Sequence, residues 1–460
     1  MTEENIGETI CDRTQCRNIA MSRLAGVREV AIRDRKLTFT ALMHQVTPEL
    51  LVTSFYQLKK QAARGVDGVS WSEYEEDLGK RVSDLYRRIQ SGRYKPQPAR
   101  RVYIPKGNGE LRPLSIQCVE DKVAQQAVSM LLGQVYETEF MGFSYGFRPN
   151  RSQHDALDAL SFGIVKRKVN WVLDLDIRKF FDTVEHEWLI RMLQHRVKDS
   201  RLLKLIVRWI KVGFVDDVGR RHPAHFGVPQ GSVISPLLSN IYLHYVFDLW
   251  SNKWRADNAQ GDIVIIRYAD DAVLGFQNKW DANRYQTQLI ERLAKFGLSL
   301  NADKTRLIRF GRFAAAQRGK YGAGKPESFE FLGFTHYCSR KRNGDFMVGR
   351  ITSRKRLVTQ IKAVQVELRR RLHMPPRQTL AWLVRVLRGH ANYYAVPGNI
   401  MRVSEFRQQL VKRWYKLLRR RSQRTSVAWS WFGPWVTSNL PKVRVVHPFP
   451  EERFYAKHPQ

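Results

Sequence analysis

The stretch GDIVIIRYADDAVLGF, residues 261–276, restricts the fold more than any other part of the chain. Two apolar runs, 263–266 and 272–276, enclose the adjacent carboxylates Asp270 and Asp271. Short apolar runs of this kind predict the two strands of a hairpin, with the aspartates at its tip. An unpaired buried carboxylate costs on the order of several kcal/mol, and two side by side also repel each other. Alone, such a pair is more often a solvated turn. Held by a sheet, it needs a counter-charge, and a divalent cation with hard oxygen ligands supplies one.

The surrounding sequence favours the second reading. WVLDLD (171–176) reads as an apolar strand ending on Asp176, a third carboxylate for the same site; Asp174 lies on the same face, deeper. FGVPQGSVISPLLSNIYL (226–243) is a Gly/Pro-rich turn running into a helix. Its small residues Gly231, Ser232 and Ser235 would let a nucleotide approach the backbone closely. QPARRVYIPKGNGELRPLSI (97–116) predicts two short strands joined by KGNGE, with Lys106 and Arg112 suited to clamping a triphosphate. YGFRPNRSQHDAL (145–157) interleaves Tyr145 and Phe147 with Arg148 and Arg151, a mixture that suits a single strand of nucleic acid.

Charge points to the same partner. Lys and Arg number 78 against 43 Asp and Glu, a net +35 in 460 residues. Spread along the chain, this surplus repels itself unless a polyanion is bound, and a long nucleic acid is expected over an anionic membrane surface. No run approaches the ~18 apolar residues of a membrane span, and the acidic, polar N-terminus is unlike a signal peptide. A cytosolic, soluble protein is expected. The four cysteines form no C-x-x-C pair, which argues against a zinc site, and they read as reduced thiols.

Strands and helices interleave without a regular βαβ repeat, so the expected class is α+β. Residues 1–90 read as a helical extension and the start of a first lobe, with a break at RGVDGVS (64–70), and 91–340 as the central domain. Residues 341–425 read as cationic helices whose apolar positions are Ile351, Leu357, Ile361, Val364, Leu368 and Leu372, then Val403, Phe406, Leu410, Trp414 and Leu417. The Trp- and Pro-rich 426–460 reads as an irregular, partly packed tail.

Taken in order, RRVYIPKGNGELRPLSI, GFRPNRSQHDAL, VLDLDIRKFFDTVEHEWL, GVPQGSVISPLLSNIYL, IIRYADDAVLGF, GLSLNADKTRLI and FEFLGFT resemble the reverse transcriptases encoded by bacterial group II introns. The resemblance runs from about Gly65 to Tyr394. It implies a right-hand polymerase with fingers, a palm built on an antiparallel sheet, and a helical thumb. Asp176, Asp270 and Asp271 match the catalytic aspartates and, with Ile177, the ligands of two Mg²⁺ ions, with Mn²⁺ able to substitute.

The resemblance also distributes roles around that centre. Lys106 and Arg112 match the phosphate-binding pair, Gln230 a contact to the incoming dNTP and template, and Phe181 an aromatic wall that excludes a 2′-hydroxyl. Lys304 matches a general acid for pyrophosphate. Phe331, Leu332 and Gly333 match the primer grip, with Arg148 and Arg151 as further template and primer contacts. LRGHANYY (387–394) matches the thumb, or maturase, region that binds intron RNA. The implied activity is RNA-directed DNA synthesis on an RNA template from a DNA primer or target DNA, together with help in splicing and retrohoming of a group II intron RNA. No paired-cysteine endonuclease module follows the thumb, so an endonuclease-lacking type is expected. A splicing-only maturase and a domesticated enzyme of DNA repair or phage defence are the alternatives; no oligomeric state is implied.

Overall fold

The computed structural model describes residues 12–105, 111–320, 322, 324–421 and 427–458. Helices come first: α1 (Arg13–Arg33), α2 (Pro48–Gln57), α3 (Trp71–Glu76) and α4 (Leu78–Gln90). The break foreseen at 64–70 falls between α2 and α3, and Ser70 and Glu73 close a capping box at the start of α3. β1 (Ala99–Pro105) and β2 (Leu111–Ile116) pair as an antiparallel hairpin, from Arg100 opposite Ile116 to Pro105 opposite Leu111. Its connecting turn, with Lys106, lies outside the described residues.

After α5 (Val119–Tyr136) and α6 (Gln153–Lys166), β3 (Trp171–Asp176) enters the centre of the molecule. The chain continues through α7 (Phe180–Thr183), α8 (His186–Gln194), α9 (Ser200–Lys211), the short strands β4 (Phe214–Val215) and β5 (Arg221–His222), and α10 (Ser235–Leu243). A π-helical turn, His244–Asp248, leads into α11 (Leu249–Asp257). β6 (Ile263–Tyr268), β7 (Asp271–Phe276), α12 (Lys279–Ala294), β8 (Arg306–Arg309) and α13 (Ala314–Lys320) follow. β9 (Phe329–Phe331), β10 (Phe334–Arg340) and β11 (Phe346–Thr352) precede α14 (Arg354–Arg370), α15 (Pro376–Tyr394), α16 (Ile400–Leu418), α17 (Trp429–Asn439) and α18 (Pro450–Lys457).

The central sheet has the order β6-β7-β3-β8, antiparallel throughout. Both of its faces are covered. Leu173, Leu175, Ile265 and Leu274 join the core under α5, α10 and α12, while Val172, Ile266, Val273 and Ile308 join one formed with α6 and β9–β11. Double-sided burial explains why these strands are continuous apolar runs rather than alternating ones. Two smaller sheets, β2-β1-β4-β5 and β11-β10-β9, flank it. The result is an α+β architecture. Among the described residues no helix is long and apolar enough to cross a membrane.

Four expectations need correction. Ile351 belongs to β11, and the helical region starts at Arg354 after its cap, Ser353; the expected division at 340/341 therefore falls within the β10–β11 hairpin. The two series of apolar positions expected for the cationic helices fall on α14 and α16, and a further helix, α15, lies between them unread; its buried positions include Thr379 and His390, which weaken the apolar period. The expected irregular tail contains α17 and α18. Short length, an aromatic instead of aliphatic stripe and the internal Pro434 hide these helices from periodicity. Finally, Cys118 and Cys338 are free thiols, but Cys16 is disulfide-bonded.

Candidate active site

Strand register builds the site. In the β3–β7 pair Asp176 stands directly opposite Asp271, and in the β6–β7 pair Tyr268 stands opposite Asp271. The β6–β7 turn therefore consists of Ala269 and Asp270 alone, the shortest common hairpin connection. Ala269 adopts the left-handed conformation at φ 57°, uncommon for a residue with a Cβ. Asp176, Asp270 and Asp271 thus meet at one end of the sheet, with Asp174 two residues deeper on the same face.

Their electrostatics are those of an under-compensated anionic cluster. Asp271 keeps exposed surface, yet protein crowds its carboxylate. That desolvation, followed by repulsion from Asp270, Asp176 and Asp174, pushes its pKa up to about 7. Burial also raises Asp270, with Asp176 adding, while Arg112 and Lys304 pull it back. Arg112, exposed on β2, is therefore close enough to act on Asp270. Lys304 donates from Nζ to both oxygens of Asp176, at 3.0 and 3.1 Å.

Asn301 was not foreseen. Its side chain donates to Asp176 Oδ2 at 3.0 Å and its backbone N–H to the Asp176 carbonyl at 2.8 Å. The signal was present in NADK, where an Asn precedes Lys304 within one turn.

The donors suit a hard divalent cation: all are oxygens, and their mutual repulsion is what such an ion relieves. Ile177 is buried beside them and has only its backbone carbonyl to offer. Among the described residues no three acidic, histidine or cysteine side chains already converge on one point, and Lys304 faces Asp176 instead.

Phe181 and Gln230 are each held through backbone bonds. Phe180 is buried and Phe181 half-buried, their rings edge to face at 5.5 Å. The Phe181 carbonyl accepts from Val228 N–H at 2.8 Å. Gly227, at φ +82°, approaches so closely that a Cβ would lie 2.7 Å from that carbonyl. The Gln230 carbonyl accepts from Ser115 N–H at 2.7 Å, which ties the 227–232 loop to the strand carrying Arg112.

Other expected contacts are corrected. Arg148 is buried, paired with Glu137 at 2.9 Å, and donates to the carbonyls of Met141 and Ser144. Its guanidinium is fully engaged in folding this loop and is not offered to a template. Tyr145 is likewise core, leaving Phe147, 54 % exposed, as the open aromatic of the motif. Arg151 is half-buried; it donates to Gly142 and Ser144 carbonyls and covers the Tyr145 ring at 5.2 Å.

Phe331 is buried in the core, so its ring is not available to a primer. Leu332 and Gly333 form the β9–β10 turn, both with positive φ. Tyr393 of α15 donates to the Leu332 carbonyl at 2.7 Å, and a Cβ on Gly333 would lie 2.9 Å from the Tyr394 hydroxyl. The final tyrosines of LRGHANYY therefore support this turn.

A sequence model of the family described as reverse transcriptase (RNA-dependent DNA polymerase) matches residues 104–336. Protein YkfC of Escherichia coli (strain K12) is 34% identical over 335 residues, 64% of this chain and 87% of that protein. Group II intron-encoded protein LtrA of Lactococcus lactis subsp. cremoris is 33% identical over 210 residues, 45% of this chain and 34% of LtrA. The putative COX1/OXI3 intron 2 protein of Saccharomyces cerevisiae is 35% identical over 182 residues, 40% of this chain and 21% of that protein. The chain therefore spans most of YkfC but only about a third of LtrA.

Proposed function

This chain belongs to the reverse transcriptase family, and from that premise we propose that it copies an RNA template into DNA and binds a group II intron RNA to assist its splicing and retrohoming. The observation that carries the polymerase reading is the register that sets Asp176 opposite Asp271, beside Asp270. Asp176, Asp270 and Asp271, with the Ile177 carbonyl, would hold two Mg²⁺ ions. Such ions lower the pKa of a primer 3′-hydroxyl and neutralise the triphosphate and pyrophosphate.

The chain's own residues do the rest. Arg112, with Lys106, orients the triphosphate through charge-assisted hydrogen bonds. Phe181 stands under the sugar and excludes a 2′-hydroxyl. Gln230 packs beside the incoming base, fixed by its bond to β2. Lys304, whose ammonium already lies at Asp176, delivers a proton to the departing pyrophosphate. Leu332 and Gly333 hold the primer end, and Arg151 and Phe147 contact the template. The net +35 favours a long polyanion bound across fingers and thumb, and a nucleoid-associated location follows from it.

Primer extension tests the reading. The purified chain should extend a DNA primer on RNA, and Asp270→Asn with Asp271→Asn should abolish extension while leaving RNA affinity within about two-fold. Extension by the double variant would refute the site. A wild-type chain that binds intron RNA and promotes splicing but never extends a primer would leave the maturase role alone.

A further inference from the structure

We propose that Arg267 is a positioning residue for the catalytic turn: held by Asp248, its guanidinium fixes the Ala269 carbonyl and thereby aims Asp270 and Asp271. The proposal rests on the polymerase assignment above. Arg267 is 1 % exposed, at the end of β6, and Asp248 is completely buried in the π-helical turn. Nε donates to Asp248 Oδ1 at 2.7 Å. Nη1 donates to Asn240 Oδ1 at 3.1 Å and to the Ala269 carbonyl at 2.9 Å. Nη2 donates to Ser144 Oγ at 2.7 Å and to Asp248 Oδ2 at 2.5 Å. A guanidinium has five N–H donors, and every one is matched.

Stability does not explain this arrangement, because a buried ion pair is often no better than apolar side chains of the same volume. Geometry does. Ala269 is held in a left-handed conformation that its Cβ disfavours, and such a residue persists only where its surroundings over-determine it. Here they do so from three sides. Arg267 takes the Ala269 carbonyl from below. The 143–146 loop lies along β6, its Tyr145 N–H donating to the Arg267 carbonyl at 2.8 Å and the Phe143 carbonyl accepting from Arg267 N–H at 2.9 Å. Gly146 presses on the turn so closely that a Cβ would lie 2.2 Å from the Ala269 nitrogen, and Asn240 holds the Gly146 carbonyl at 2.7 Å.

Asn240 thus bonds both Arg267 and the residue that packs on the turn, which closes the network. Arg267 and Asp270 also line one small internal cavity together with Leu175 and Ile177. Displacement of the guanidinium would be felt at the carboxylates without any contact to substrate. Lysine cannot replace it, since one ammonium does not reproduce a planar fork of five donors.

Three variants of the full chain test this: Arg267→Lys, Asn240→Ala, and the double replacement Arg267→Met with Asp248→Leu. The double replacement exchanges the pair for apolar bulk, and its melt is expected to be as cooperative as that of the wild type measured alongside it. In each, kcat should fall about 10- to 100-fold, while dNTP KM and primer–template Kd stay within about three-fold. Mn²⁺ affinity of the protein without nucleic acid or dNTP, read by electron paramagnetic resonance, should weaken about ten-fold or more. A double replacement that folds, binds Mn²⁺ as tightly as wild type and keeps kcat would overturn the proposal. Wild-type protein that binds Mn²⁺ but extends no primer counts against the polymerase assignment; the Mn²⁺ comparison among variants still decides the role of Arg267.

Discussion

The buried pair of Arg267 and Asp248 can be set beside a second buried cluster, Asp158 with Arg350 and Arg453. The first is balanced, one guanidinium to one carboxylate, and joins neighbouring elements of the palm. In the second, Asp158 Oδ1 accepts from Nη1 and Nη2 of Arg350, each at 3.1 Å, and from Nη2 of Arg453 at 2.7 Å. Two arginines share one carboxylate, and Arg453 Nε is buried with no acceptor. Burial raises the pKa of Asp158 even against two guanidinium groups, and burial also lowers that of Arg350. Position explains the difference. Asp158 lies on α6, Arg350 on β11 and Arg453 on α18, so this cluster joins segments far apart in sequence. The first cluster spends all five N–H donors of one guanidinium on groups around a single turn; the second leaves a donor unmatched while it ties the tail to α6 and β11.

That tie has further strands. Phe454 stacks on Phe162 at 4.1 Å, Lys457 pairs with Asp155 at 2.7 Å, and Glu451 pairs with Lys166 at 2.6 Å. The comparison breaks most sharply at Asp158. Asp158→Ala leaves two arginines without their buried partner and should cost about 3–5 kcal/mol in denaturant unfolding. Catalysis per folded molecule should hardly change, the reverse of what is expected for Arg267. A large loss of kcat with intact stability would show that the two clusters are not distinct in kind. Phe454→Ala probes the same tie more gently, at about 1–2 kcal/mol for a half-buried ring. Faster amide exchange should then be confined to α18, and uniform destabilisation would mean that the tail is not a separable latch.

The carboxylate end of the central sheet was legible because its constraints are local in sequence. Strands buried on both faces give unbroken apolar runs, and a polar break between two such runs marks a hairpin turn, here Ala269 and Asp270 with Asp271 opening β7. Arg148, Tyr145 and Phe331 were misread for a common reason. A loop arginine has the same sequence signature whether it meets phosphate or the carbonyls of Met141 and Ser144, and only the fold supplies those carbonyls. Arg267 was hidden inside the apolar run IVIIRY, where a buried cation needs an acid from elsewhere, and Asp248 comes from a different element. α18 was hidden because its structure depends on contacts with α6, and an eight-residue helix has little stability alone.

The smallest effect concerns the carboxylates that lack a partner. Asp271 carries a folded-state pKa of about 7, against an ordinary value of about 3.9 for an unfolded chain. A carboxyl raised on folding binds its proton more tightly in the native state, so its contribution is complete below the unfolded pKa and is lost as pH rises through 7. Asp271→Asn, which does not titrate, should therefore match wild-type stability near pH 4 and melt higher than wild type by pH 8. Because Asp271 keeps solvent-exposed surface, the gain should be modest. Adding Mg²⁺ should narrow it from the wild-type side, since the ion stabilises only the protein that retains both aspartates. Asp158 responds differently: its raised carboxyl also favours low pH, but arginines already neutralise it, so Mg²⁺ should leave its contribution unchanged. A Tm difference between Asp271→Asn and wild type that ignores both pH and Mg²⁺ would mean that the turn holds its carboxylates without the repulsion that a bound cation would relieve.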